Sequence, residues 1–84
     1  MNSKAALSKI QTLVMSGWVE FTAHARQEMR DEMTTAAEVL AAIRYATDCI
    51  RQPNGRYRII TRVDLKIIVE LQNHVVIVTV FGRE

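Results

Sequence analysis

The chain has 84 residues, 49% of them apolar, and carries 11 Lys or Arg against 9 Asp or Glu for a net charge of +2. That length makes one domain, residues 1–84, which buries about 60–65% of the surface it exposes when unfolded and still folds without staples. The single cysteine, Cys49, excludes an internal disulfide, and the longest apolar run, Val75 to Val78 extended across Thr79 to Phe81, is of strand length and excludes a membrane-spanning helix.

The first residues, Met1 to Lys9, offer no apolar signal-peptide core and no cleavage site, so a cytoplasmic location is expected. Ser3 is expected to cap a first helix over 4–15, with Leu7, Ile10, Leu13 and Val14 as its apolar stripe. Gly17 stands where a left-handed C-terminal cap belongs. Trp18 to Phe21 reads as a short extended link, with Trp18 a core aromatic. Thr22 caps a second helix over 23–32. Thr35 with Glu38 three residues on is a capping box that opens a third helix over 36–46, whose buried stripe is Ala36, Val39, Leu40, Ile43 and Ala46.

After Asp48 the period changes from helical to extended. Cys49 to Gln52 is a first strand and Pro53-Asn54-Gly55 a turn, since Asn-Gly readily takes positive φ. Arg56 to Arg62 is a second strand, Leu65 to Leu71 a third and Val75 to Phe81 a fourth. The expected fold is therefore α+β: three N-terminal helices packed on one face of a four-stranded antiparallel C-terminal meander sheet. With Val63-Asp64 as a two-residue turn, Ile60 shares the core face with Leu65, Ile67, Val69 and Leu71. Tyr57, Ile59, Thr61, Lys66, Ile68 and Glu70 then form the open face, and Arg56, Arg58 and Arg62 reach the rim from the core side. A one-residue slip exchanges these sets.

Charge is unevenly distributed. Residues 1–46 balance five basic against five acidic side chains, whereas residues 51–66 hold Arg51, Arg56, Arg58, Arg62 and Lys66 against Asp64. Arginines fixed on a stiff sheet suit a phosphate-bearing polymer; strand edges also carry such residues simply to stay soluble and unpaired. His24 and His74 have no second His or Cys at ligand spacing, so no metal site is expected, and no glycine-rich phosphate loop is present. Metal-free RNA cleavage needs a group to take the 2′-proton, fixed cations for the phosphate, and an acid for the leaving oxygen. Tyr57, Arg56, Arg58, Arg62, Lys66, Glu70, Arg83 and His24 are the residues on offer. Arg26 and Arg30, four apart on one helix face, either grip phosphate or are solvated beside Asp31 and Glu32. Cys49 reads as a small buried apolar residue.

The run Phe21-Thr22, His24-Ala25 and Met29, followed by a Thr-Thr pair, a short apolar helix, Gly55-Arg56-Tyr57-Arg58 and two apolar strands, resembles a small domain family placed in the RelE/ParE-like superfamily. The likeness covers about Val19 to Phe81. Leu7 to Ile10, Leu13-Val14, Gly17, Val19, Leu65 to Ile67 and Val75 to Val78 are similar to the MqsR-type mRNA interferases. The resemblance implies the toxin of a type II toxin–antitoxin pair, a metal-independent endoribonuclease that cuts mRNA, often on the ribosome. It implies no organic cofactor and a cognate antitoxin protein as partner. His24 matches the family histidine, Arg58 the strand arginine and Lys66 the lysine of the Leu-Lys pair. Relatives place Arg where this chain has Glu28 and Glu32, and the MqsR type has a tyrosine where Asp64 stands.

The expected site therefore consists of His24, Tyr57, Arg58, Lys66 and Glu70 as catalytic groups. Arg56, Arg62, Arg83 and Arg30 serve as nucleic-acid contacts. The alternative is a non-enzymatic protein-interaction or regulatory module of the same fold, binding through a sheet edge or the Trp18–Phe21 region.

Overall fold

The structure, a computed structural model, describes residues 2–82. In chain order the elements are α1 (Ser3–Met15), β1 (Val19–Phe21), α2 (Ala23–Asp31), α3 (Ala36–Arg44), β2 (Asp48–Arg51), β3 (Tyr57–Ile60), β4 (Leu65–Leu71) and β5 (Val75–Gly82). Three N-terminal helices and an α+β arrangement agree with the sequence reading. The four-stranded antiparallel meander does not. The sheet has five strands in the order β1-β5-β4-β3-β2, and β1 pairs parallel to β5, with Val19 opposite Val75 and Phe21 opposite Ile77. The segment expected to be a mere link is thus an edge strand. Three residues are too few to show a period of their own, and their partner lies more than fifty residues away in sequence.

The helix ends follow from local chemistry. Asn2 rather than Ser3 caps α1, its Oδ1 accepting the Ala5 N–H at 2.8 Å. At the other end Gly17 takes φ +84°, so that its own N–H reaches Val14 O at 3.1 Å and the Trp18 N–H reaches Leu13 O at 2.9 Å. The same cap closes α2, but there the left-handed residue is Met33 at φ 53°, with Thr34 N–H on Met29 O at 2.8 Å. Thr35 and Glu38 form the expected capping box on α3. The carbonyls at the end of α3 are met by Gln11 of α1, whose amide donates to Ile43 O and Arg44 O, both at 3.1 Å.

Ala6, Leu7, Ile10 and Val14 of α1, Ala25 and Met29 of α2, and Val39, Ala42 and Ile43 of α3 are buried against one face of the sheet. That face presents Cys49, Tyr57, Ile59, Ile67, Val69, Val75, Ile77 and Val80. Cutting one of the fully buried isoleucines to Ala would cost about 2–5 kcal/mol, a large part of what so small a domain holds. Trp18, expected in the core, is 63% exposed: it is the one residue between the Gly17 cap of α1 and the start of β1, its backbone bonded to Leu13 O and the Val75 N–H.

Register is the second correction. Tyr57 opposes Val69, Arg58 opposes Ile68 and Ile59 opposes Ile67. The β3–β4 connection is therefore one residue longer than a two-residue turn at Val63-Asp64. The Thr61 hydroxyl stabilises it, lying 2.8 Å from Val63 O and 2.9 Å from Leu65 O. The slip exchanges the faces of β3: Tyr57 and Ile59 enter the core, and Arg58 and Ile60 move to the open face. A bulge in β5 has a related effect. Ile68 pairs with Thr79 but Val69 with Ile77, leaving Val78 without a β4 partner, so Ile77 and Val80 both face the core despite lying three apart.

Candidate functional site

The open face is organised by cross-strand rows. Ile50, Arg58, Ile68 and Thr79 form one; Lys66 and Phe81 form the next. Arg58 and Lys66 are diagonal neighbours across β3 and β4, a relation that puts Cβ atoms about 7–8 Å apart or less. Lys66 Nζ sits 5.0 Å from the centre of the Phe81 ring, and among the described residues neither Arg58 nor Lys66 has an acidic group within 4.0 Å. At this end of the sheet a groove of about 610 Å³ is lined by Arg58, Ile60, Thr61, Lys66, Phe81 and Glu32, among others. Two cations beside an aromatic ring can hold a phosphate and keep a base or ribose against apolar surface.

The other expected site residues do not join them. Tyr57 is 8% exposed and faces the helices, a core aromatic that cannot reach the groove. Glu70 is on the open face, but about 13 Å along β4 from Lys66 at roughly 3.3 Å per residue. There its carboxylate is 3.6 Å from Arg56 Nε, which takes Arg56 out of the set of free cations as well. His24 lies on α2 with its side chain 69% exposed and Nε2 3.2 Å from Glu28. It is eight residues, about 12 Å of helix, from Glu32 at the groove. Arg30 Nη2 donates to Gln27 on its own helix at 2.9 Å. Arg62 lies in the β3–β4 connection and lines a different, largely apolar groove with Ala41, Ala42, Tyr45 and Val63. Arg83 lies outside the described residues. His74, which sequence places outside any metal site, lies with Nε2 2.8 Å from Glu20 of β1, fastening the parallel edge strand to the β4–β5 turn.

Sequence reasoning missed Glu32, Phe81 and Thr61 as groove residues. From sequence Glu32 stands beside Arg30 and, with Glu28, where the resembled family carries Arg, but in no groove. The signal lay in its spacing from His24 and Glu28, since residues at four-residue intervals share one helix face. Glu28 Oε1 accepts the Val80 N–H at 3.0 Å, which places that face along β5. Glu32 accordingly reaches the end of the strand, and its Oε1 occupies the space that a Cβ on Gly82 would need.

Cys49 is buried, with Sγ 3.3 Å from Ser3 O, and burial followed by the Asp48 charge pushes its thiol above the ordinary range. It is therefore a packing residue rather than a nucleophile. Among the described residues no three His, Cys, Asp or Glu come together as metal ligands, and no helix is long and apolar enough to cross a membrane. Comparison with protein-family models, with curated proteins and with solved structures finds no match to this chain.

Proposed function

We propose that this chain acts on RNA as the toxin of a toxin–antitoxin pair, gripping single-stranded mRNA in the groove at the β3–β4 end of the sheet and cleaving it without metal. The observation that carries the reading is the pairing of Arg58 and Lys66 beside Phe81 on one open face, neither with an acidic group within 4.0 Å among the described residues. Their place in the resemblance to RelE/ParE-like toxins, as the strand arginine and the lysine of the Leu-Lys pair, supports the same reading. In this account Arg58 and Lys66 hold the scissile phosphate as charge builds on it. Cytoplasmic action on mRNA, on or off the ribosome, and neutralisation by a cognate antitoxin belong to the same proposal.

The test is induction of the wild-type chain in bacteria, with growth and transcript ends followed together. Growth arrest and new mRNA ends are expected, and both should be relieved by Arg58→Ala with Lys66→Ala in a protein that still folds. Unimpaired growth with intact transcripts at high expression would refute the proposal.

A second reading, a non-enzymatic interaction module, is favoured by one observation. The open face also carries Ile50, 51% exposed, with Ile68 in the same cross-strand row. Such a surface suits a protein partner. Harmless overproduction with tight binding of a protein to this face would select it.

A further inference from the structure

The groove holds its two cations together with a carboxylate, and we infer that Glu32 is the general base of RNA cleavage there; this rests on the proposed action on RNA. The groove's other polar side chains are poorly suited to the task. Arg58 and Lys66 are cations that do not accept a proton at neutral pH. The Thr61 hydroxyl is engaged with the Val63 and Leu65 carbonyls. The groups expected to move protons from sequence, Tyr57, Glu70 and His24, lie in the core or roughly 12–13 Å away along their elements. Glu32 lines the same groove as Arg58, Lys66 and Phe81, and its carboxylate has no ion-pair partner within 4.0 Å among the described residues. It enters over Gly82, the one residue type without a Cβ to displace it.

The step balances without a co-reactant. The Glu32 carboxylate takes the proton from a ribose 2′-OH, and the 2′-oxygen forms a bond to the adjacent phosphorus. Arg58 holds the non-bridging oxygens. The bond from phosphorus to the 5′-oxygen breaks, and that oxygen takes a proton from the Lys66 ammonium. Water then returns a proton to Lys66 and removes the one on Glu32. The products are a 2′,3′-cyclic phosphate and a 5′-hydroxyl.

The experiment uses the full chain and a fluorescein-labelled single-stranded RNA of mixed sequence, with binding and cleavage measured separately. Wild type is expected to bind and to leave 2′,3′-cyclic ends, and the same oligomer with 2′-deoxyriboses is expected to bind uncut. Glu32→Gln, which keeps the side chain's shape, is expected to lower kcat by about 10²–10⁴-fold while the RNA Kd stays within about twofold. Glu32→Gln cleaving at the wild-type rate, a loss in Kd in place of kcat, or wild type that binds RNA and leaves it intact would each overturn the assignment of Glu32 without touching the binding reading. If Arg58→Ala with Lys66→Ala binds RNA as wild type does, the reading of the groove itself falls, and Glu32 with it.

Discussion

Glu28 and Val80 are joined by a hydrogen bond of the kind a neighbouring strand would ordinarily supply: the Glu28 carboxylate accepts the Val80 N–H at 3.0 Å. β1 ends at Phe21, opposite Ile77, and the chain then turns into α2. Thr22 makes the hand-over, its N–H reaching Ile77 O at 3.0 Å and its hydroxyl lying 3.4 Å from Val78 O. Four residues of helix advance about 6 Å and two of strand about 6.6 Å. Positions 24, 28 and 32 of the helical segment therefore keep step with the remaining edge of β5. The Glu28 carboxylate closes an edge that β1 is too short to cover.

Glu28→Ala is expected to destabilise the fold by about 1–2 kcal/mol, because it leaves the half-covered Val80 N–H without its acceptor. Glu28→Gln keeps an acceptor and should cost less. Denaturant unfolding of both variants, with amide exchange at Val80, reads this directly. Unchanged Val80 protection in Glu28→Ala would contradict it.

Met33 is 89% exposed and sits at φ 53°, in the region that favours glycine. Met33→Gly removes a steric penalty on the order of 1–2 kcal/mol and adds back part of it as chain entropy. A net stabilisation of about 0.5–1 kcal/mol is expected, seen as a higher denaturation midpoint with unchanged slope. A lower midpoint would show that the cap does not hold this geometry in solution.

The Cys49 thiol is buried and its ionisation is pushed up, first by burial and then by Asp48. It should resist a disulfide reagent at neutral pH in the folded protein and react at the rate of a free thiol in denaturant. Equal rates in the two states would place Cys49 at the surface.

The capping box on α3 sets a pH dependence. The Thr35 N–H and the Thr35 hydroxyl, each 3.0 Å from Glu38 Oε1, hold that carboxyl below its ordinary value. A folded value lower than the unfolded one stabilises the fold above the usual glutamate range, about 4.3. The contribution is lost as pH falls through the lower folded value. Urea midpoints should fall less steeply with acid in Glu38→Gln than in wild type. Identical pH profiles would remove Glu38 from the account.

Much of the fold was legible, and the misses have definite causes. Thr22, Thr35 with Glu38, and Gly17 mark helix ends through local chemistry, which a sequence carries openly. Leu65 to Leu71 and the start of β5 at Val75 stood out by their apolar run. β1 did not, because what makes Val19 to Phe21 a strand is β5, a distant parallel partner. The site was half legible. Arg58 and Lys66 were named, yet set on opposite faces, because the faces of β3 depend on whether Thr61 closes a three-residue or a two-residue connection. Tyr57 was lost to the core by the same slip. Glu32 needed the helix-along-strand contact that only Glu28 and Val80 reveal.

The central claim is that Arg58 and Lys66 together grip one phosphate of a single RNA strand. Its most direct measurement is the affinity of the full chain for a labelled single-stranded RNA across a range of salt, for wild type and for Arg58→Ala with Lys66→Ala. The account predicts binding that weakens with salt, and a double variant whose slope of log affinity against log salt is smaller by about 0.7, the value for one phosphate of a single strand no longer neutralised. Equal slopes and affinities for the two proteins, or a wild type that does not bind RNA even at low salt, would contradict it.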